Sequence, residues 1–245
     1  MMIDSQDVLI ASQLWSKLVT DDFIYQMKDP DLCDAYQNNV TVKNIVEESA
    51  SYNKSKVVFV NAVNEKNAGL VLLPNLDNTT LGYTKIELEK AMYTNANVET
   101  GTFELLMFVL LVFIVEVYSG KDGEQVLDYL ERSEFINKIS EYLELGVNKE
   151  IAVQKGVGIN FQSLYDLYAS SSISATGNTY GTKGWYVEKV VHFLRIQGLV
   201  NFRDDNKELI YPTERLTSHI KYELLDQNHF ESVKDFLKES GHINE

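Results

Sequence analysis

Cysteine occurs once in 245 residues, at Cys33, so no intramolecular disulfide can form and a reducing compartment is the natural setting. Three prolines and 13 glycines exclude a Pro/Gly-rich linker or a fibrous repeat. Basic residues are scarce, 22 Lys and Arg against 36 Asp and Glu, which leaves a formal charge of −14. Such a chain repels polyanions over most of its surface. Long apolar runs are also missing: the longest uncharged apolar run, Leu105 to Val115, falls well short of the roughly 20 residues that span a bilayer. The opening residues carry no basic-then-apolar leader pattern, so a cytoplasmic location is expected. What remains is 44% apolar content, enough to build one large or two small cores.

The apolar spacing is mostly helical. Val8, Leu9, Ala11, Leu14, Trp15 and Leu18 form a three-and-four stripe behind Asp4 or Ser5 as N-cap. Asp29-Pro30-Asp31 opens a second helix, and a third is predicted from Thr41, capped by its own hydroxyl, through Val46 and Ala50. Lys56 to Val63 is then rich in β-branched residues, a polar turn follows at 64–67, and Gly69 to Leu73 is apolar up to Pro74. Three helices followed by a hairpin is the order of a winged helix. A further helix is expected behind Tyr83-Thr84.

Phe103 to Tyr118 is apolar around most of its circumference and must be buried nearly all round. Two readings fit: a dimer or partner face carried by Phe103, Met107, Phe108, Leu111, Val112 and Val115, or an intramolecular spine. With the amphipathic stretch from Val126 to Leu143, this region reads as a helical connector. The last third repeats the opening plan: helix Phe161 to Ala169, a polar loop, a helix around Trp185 to Leu194 ending at Gly198, then strands 199–202 and 208–211. The expected fold is therefore mainly α with small β-hairpins (α+β). Residues 1–95 and 151–245 each form a winged-helix module, and 96–150 form a connector and dimerisation region.

Residues 178–221 carry seven basic and five acidic side chains, a local charge of +2 that leaves −16 for the remainder. Any nucleic-acid contact belongs there, because Lys and Arg supply most affinity for phosphate backbones. The helix before the wing enters the major groove in winged helices, so Lys183, Trp185, Lys189, His192, Arg203 and Lys207 are the candidate DNA-binding residues. Ordinary solvated side chains on an exposed helix face explain the same residues.

Motifs for chemistry are missing. His192, His219, His229 and His242 stand apart without metal-ligand spacing, so no metal is expected. Cys33 lies among Asp31 and Asp34, which raise a thiol pKa, and reads as a buried structural residue. Asp29, Asp31 and Asp34 lack the glycine and distal glutamate of a calcium loop. The glycine-rich segments at 156–158 and 177–184 lack P-loop spacing. No enzyme and no cofactor is expected.

Leu14-Trp15, the wing end Leu70-Val71-Leu72-Leu73-Pro74, Asn78 with Leu81-Gly82-Tyr83-Thr84 and Glu87-Leu88, and Tyr186-Val187, Val190-Val191, Phe193-Leu194, Gly198-Leu199-Val200 and Ile210-Tyr211-Pro212-Thr213 together resemble an uncharacterised bacterial family of tandem winged-helix proteins. The architecture is similar to the kite (MukE-like) accessory subunits of SMC-type complexes. That resemblance implies a non-enzymatic, homodimeric adaptor that binds a kleisin-like or coiled-coil ATPase partner, touches DNA weakly through its C-terminal module, and serves chromosome or plasmid maintenance. The alternative is an autonomous winged-helix DNA-binding transcriptional regulator.

Overall fold

The computed structural model describes residues 4–60, 68–75, 78, 82–93, 99–120, 123–148, 159–172, 179–203 and 207–224. Within these the protein is mainly α-helical with two small antiparallel sheets, as its apolar spacing predicts. It divides into two compact units, Met1–Glu87 and Leu88–Glu245.

The first unit runs α1 (Ser5–Asp21), β1 (Phe23–Tyr25), α2 (Pro30–Asn38), α3 (Val40–Tyr52), β2 (Ser55–Val60) and β3 (Gly69–Pro74). Asp4 caps α1 by accepting from Gln6 N at 3.0 Å, and Pro30 occupies the first turn of α2, where its missing N–H costs nothing. The α3 cap differs from expectation. Asn39, one residue before the helix, accepts from Thr41 N and Val42 N at 3.0 and 3.2 Å, so the Thr41 hydroxyl is not the cap. Ala11, Leu14 and Leu18 of α1 pack with Val42, Val46 and Ala50 of α3 against the inner sheet face at Ile24, Leu70 and Leu72. The strand order β1-β3-β2 places β1, with Phe23 paired to Val71, beside the second hairpin strand. The polar turn at 64–67 lies outside the described residues.

The division between units falls within α4 (Lys85–Met92), which opens on a capping box: Thr84 N–H and Oγ1 both donate to Glu87 Oε2, at 2.9 and 2.7 Å. The second unit continues with α5 (Thr102–Val117), β4 (Leu130–Glu131), α6 (Arg132–Val147), α7 (Phe161–Ala169), α8 (Lys183–Ile196), β5 (Val200–Phe202), β6 (Leu209–Pro212), α9 (Glu214–His219) and a π-helical turn (Ile220–Leu224). Its sheet has the order β4-β6-β5, the same arrangement as the first, although among the described residues three helices, not two, lie between β4 and its hairpin.

Here the structure corrects the expected connector. Residues 96–150 contain α5, β4 and α6, which build the second unit itself. Leu130 of β4 pairs with Ile210 of β6, and Phe135, Ile139 and Leu143 of α6 share one core with Val190 and Leu194 of α8. The helix α5 is the centre of that core. Phe108 meets Phe161 edge-on at 5.7 Å between ring centroids, and Phe113 meets Phe135 at 5.7 Å. No described helix is long and apolar enough to cross a membrane.

Candidate functional site

The helix preceding the second hairpin carries most of the residues selected for nucleic-acid contact. Thr182 caps α8, its Oγ1 accepting from Trp185 N at 3.2 Å, and Gly198 closes it with φ near +66°, a conformation that glycine adopts without strain. Seven side chains face the core: Trp185, Tyr186, Val187, Val190, Val191, Phe193 and Leu194. The open side presents Glu188, Lys189, His192, Arg195 and Ile196.

This geometry splits the predicted set. Trp185 is 3% exposed, with Tyr180 edge-on at 4.9 Å and Tyr186 at 5.2 Å, so it is a core residue with no face left for a base. Lys183 reaches back to the interior, donating from Nζ to Ser140 Oγ at 3.3 Å and lying 4.8 Å from the Tyr168 ring centroid. It therefore braces α8 against α6 and α7. Lys189 lies 5.5 Å over Trp185 but keeps partial exposure, and His192 is exposed. Arg203 and Lys207, both exposed, flank the hairpin tip, and Arg203 stacks 4.3 Å over Tyr211. Residues 204–206 lie outside the described residues.

Two side chains outside the predicted set alter the electrostatics. Arg195 is exposed on the same stripe as Lys189 and His192, 5.9 Å from the Phe202 ring, and the three-residue spacing of those positions is the signal that finds it. Arg132, 6% exposed at the start of α6, pairs with Glu188 at 2.8 Å. That pair removes the one acid of the open stripe from play, leaving Lys189 and Arg195. No local pattern reveals it, because the partners are far apart in sequence.

The matching helix of the first unit is opposite in character. The exposed side of α3 carries Lys43, Asn44, Glu47, Glu48, Ser51 and Tyr52. Lys43 lies 3.8 Å from Glu47, which also accepts from Tyr36 Oη at 3.1 Å. This surface offers acid and one exposed aromatic ring, not a cationic track.

The proposed dimer face is split in the same way. Phe103, Phe108, Val112 and Val115 are buried in the second unit's core, and Met107 and Leu111 pack against the same cluster. Four of the six are therefore core residues of their own unit, and only the partly buried Met107 and Leu111 keep surface that a partner could cover.

Other reactive side chains among the described residues are held in their un-ionised forms. Cys33 is fully buried, its Sγ directed at Ile24 O at 3.8 Å, and burial together with Asp29 pushes the thiol up to about 11, the wrong direction for a nucleophile. Burial and Glu116 likewise raise Tyr142, whose hydroxyl donates to Glu116 Oε1 at 2.6 Å; the phenol stays protonated and acts as a donor. A shallow open groove along α1 is lined by Ser12, Gln13, Ser16, Lys17, Thr20 and Asp21 and brings no paired acid and base together. Among the described residues no three His, Cys, Asp or Glu side chains gather as a metal site. The segment 156–158 lies outside the described residues.

No curated protein matches the chain. A family model described as a family of unknown function, DUF6063, matches residues 1–244, and the chain belongs to that family.

Proposed function

We propose that the protein is a non-enzymatic adaptor built from two winged helices, a kite-like subunit of an SMC/kleisin-type DNA-organising or DNA-defence assembly. The observation that carries this reading is the strand order. Both units place a short strand from between their helices beside the second strand of a hairpin, β1-β3-β2 and β4-β6-β5, and this order supports the winged-helix reading. The charge on the two helices preceding the hairpins favours protein contact over duplex reading. One presents Glu47 and Glu48; the other keeps Lys189 and Arg195 after Lys183 and Trp185 are drawn inward. A body at −14 adds repulsion of DNA and attraction to cationic protein surfaces.

The alternative, an autonomous DNA-binding regulator, rests on Lys189, His192, Arg195, Arg203 and Lys207, which share the open side of α8 and the hairpin. Affinity purification of the tagged protein from its native cells, with quantitative mass spectrometry, separates the two. Stoichiometric recovery of a long coiled-coil ATPase or its kleisin-like linker supports the adaptor. Recovery of no stoichiometric partner, with tight duplex binding by the pure protein, overturns it in favour of the regulator.

A further inference from the structure

The second unit's sheet is buried on one face, by Leu130, Val200 and Ile210, and open on the other. The register turns Tyr211 and Leu209 of β6 outward, with Asn201 of β5 beside Tyr211 and Glu131 of β4 beside Leu209. Tyr129 and Arg203 lie just outside the strand ends. Tyr129, just before β4, keeps its ring 5.4 Å from that of Tyr211, and Arg203 covers Tyr211 at 4.3 Å. Tyr129 remains 46% exposed, and Glu131, two positions on and on the same side of β4, is exposed as well.

From this layout, and resting on the adaptor reading above, we infer that the outer sheet face is a docking site for an extended, arginine- or lysine-bearing segment of a protein partner. The cation sits over the Tyr129 ring beside Glu131, where aromatic face and carboxylate attraction act together. The peptide backbone crosses toward Asn201, whose amide both donates and accepts, and toward the Arg203 guanidinium, which takes a carbonyl. Two strand spacings separate Tyr129 from Asn201, roughly 10 Å, the length of about three extended residues. Tyrosine and arginine are the residue types that concentrate binding energy at protein interfaces. A nucleic acid is the poorer fit, because Glu131 lies on this face and the chain as a whole carries −14, both of which repel phosphate.

The test is calorimetric titration of the full chain with a blocked hexapeptide alternating arginine and valine. Its glutamate-for-arginine counterpart and a single-stranded oligonucleotide are each titrated separately. The arginine peptide is expected to bind more tightly than either, and Tyr129→Ala and Glu131→Lys each to weaken it roughly tenfold. Both variants should keep the wild-type circular dichroism, since both side chains are exposed. Glu47→Lys on the first unit is expected to leave the affinity unchanged. Absence of binding, oligonucleotide binding that is as tight and is weakened by Tyr129→Ala, indifference of the peptide to Tyr129→Ala, or equal weakening by Glu47→Lys overturns the site. If the Tyr129→Ala protein still recovers a coiled-coil ATPase from cells, this surface is wrong and the adaptor reading stands. If the wild type recovers none, the adaptor reading fails by itself.

Discussion

The two units share a strand order and differ in where they hide their first helix. In the first, α1 is amphipathic and buries one stripe, Ala11, Leu14 and Leu18, while Leu9 and Ser12 face outward. In the second, α5 lies inside the core, buried from Thr102 to Val117 on most of its surface. The sheets invert this relation. The first is apolar on both faces, with Phe23, Val60, Val71 and Leu73 buried as well as Ile24, Leu70 and Leu72; the second leaves its outer face to Tyr129, Tyr211, Asn201 and Arg203. One topology thus accepts either a half-exposed helix over a buried sheet or a buried helix under a half-exposed sheet. The sequence signal is the apolar circumference of one element against the alternation in the other.

The sharpest way to break this comparison is Phe108→Asp. An unpaired carboxylate placed against Phe161 is expected to cost about 4 kcal/mol or more and to unfold the second unit, read as loss of near-ultraviolet circular dichroism and a collapsed urea midpoint. A folded variant whose only change is dissociation in light scattering would instead return α5 to the role of an intermolecular face.

A smaller effect is expected at Gly146 of α6, where an added Cβ would overlap the Phe161 ring. Gly146→Ala gains helix propensity, yet overpacking of the α6–α7 contact outweighs it, for a net loss of about 1–3 kcal/mol in urea denaturation. The first unit has its own pinch point at Gly69 of β3, where an added Cβ would overlap the backbone of Ile24 in β1. Smallest is Asn39→Ala, which removes the α3 cap and the bond from Asn39 Nδ2 to Asp7 Oδ1 at 2.8 Å. About 1 kcal/mol of stability is expected to go, confined to the first unit.

Much of this fold is legible in local pattern. The caps at Asp4 and Thr84, the stop at Gly198, the helix Phe161–Ala169 and both hairpins follow from spacing and turn chemistry. The strands β1 and β4 are not, since three and two residues carry no period and exist only through pairing with Val71 and Ile210, distant in sequence. The burial of α5 is written in its composition, but Phe161, which takes up its apolar face, is not identifiable from that helix. The candidate site fared likewise. Helical phase places Lys189 and His192 outward, whereas the inward reach of Lys183 depends on Ser140 and Tyr168, and the neutralisation of Glu188 on Arg132.

The claim that this protein works through protein contact, not by reading DNA alone, is tested most directly by duplex binding measured against salt concentration. At roughly 0.15 M salt the account predicts affinity at the weak, non-specific end, about 10⁻⁴ M or weaker. Lys189, Arg195, Arg203 and Lys207 limit the log–log salt slope to about −4 or shallower. Sequence-selective binding below about 10⁻⁷ M, with a slope near −6 or steeper, would contradict it.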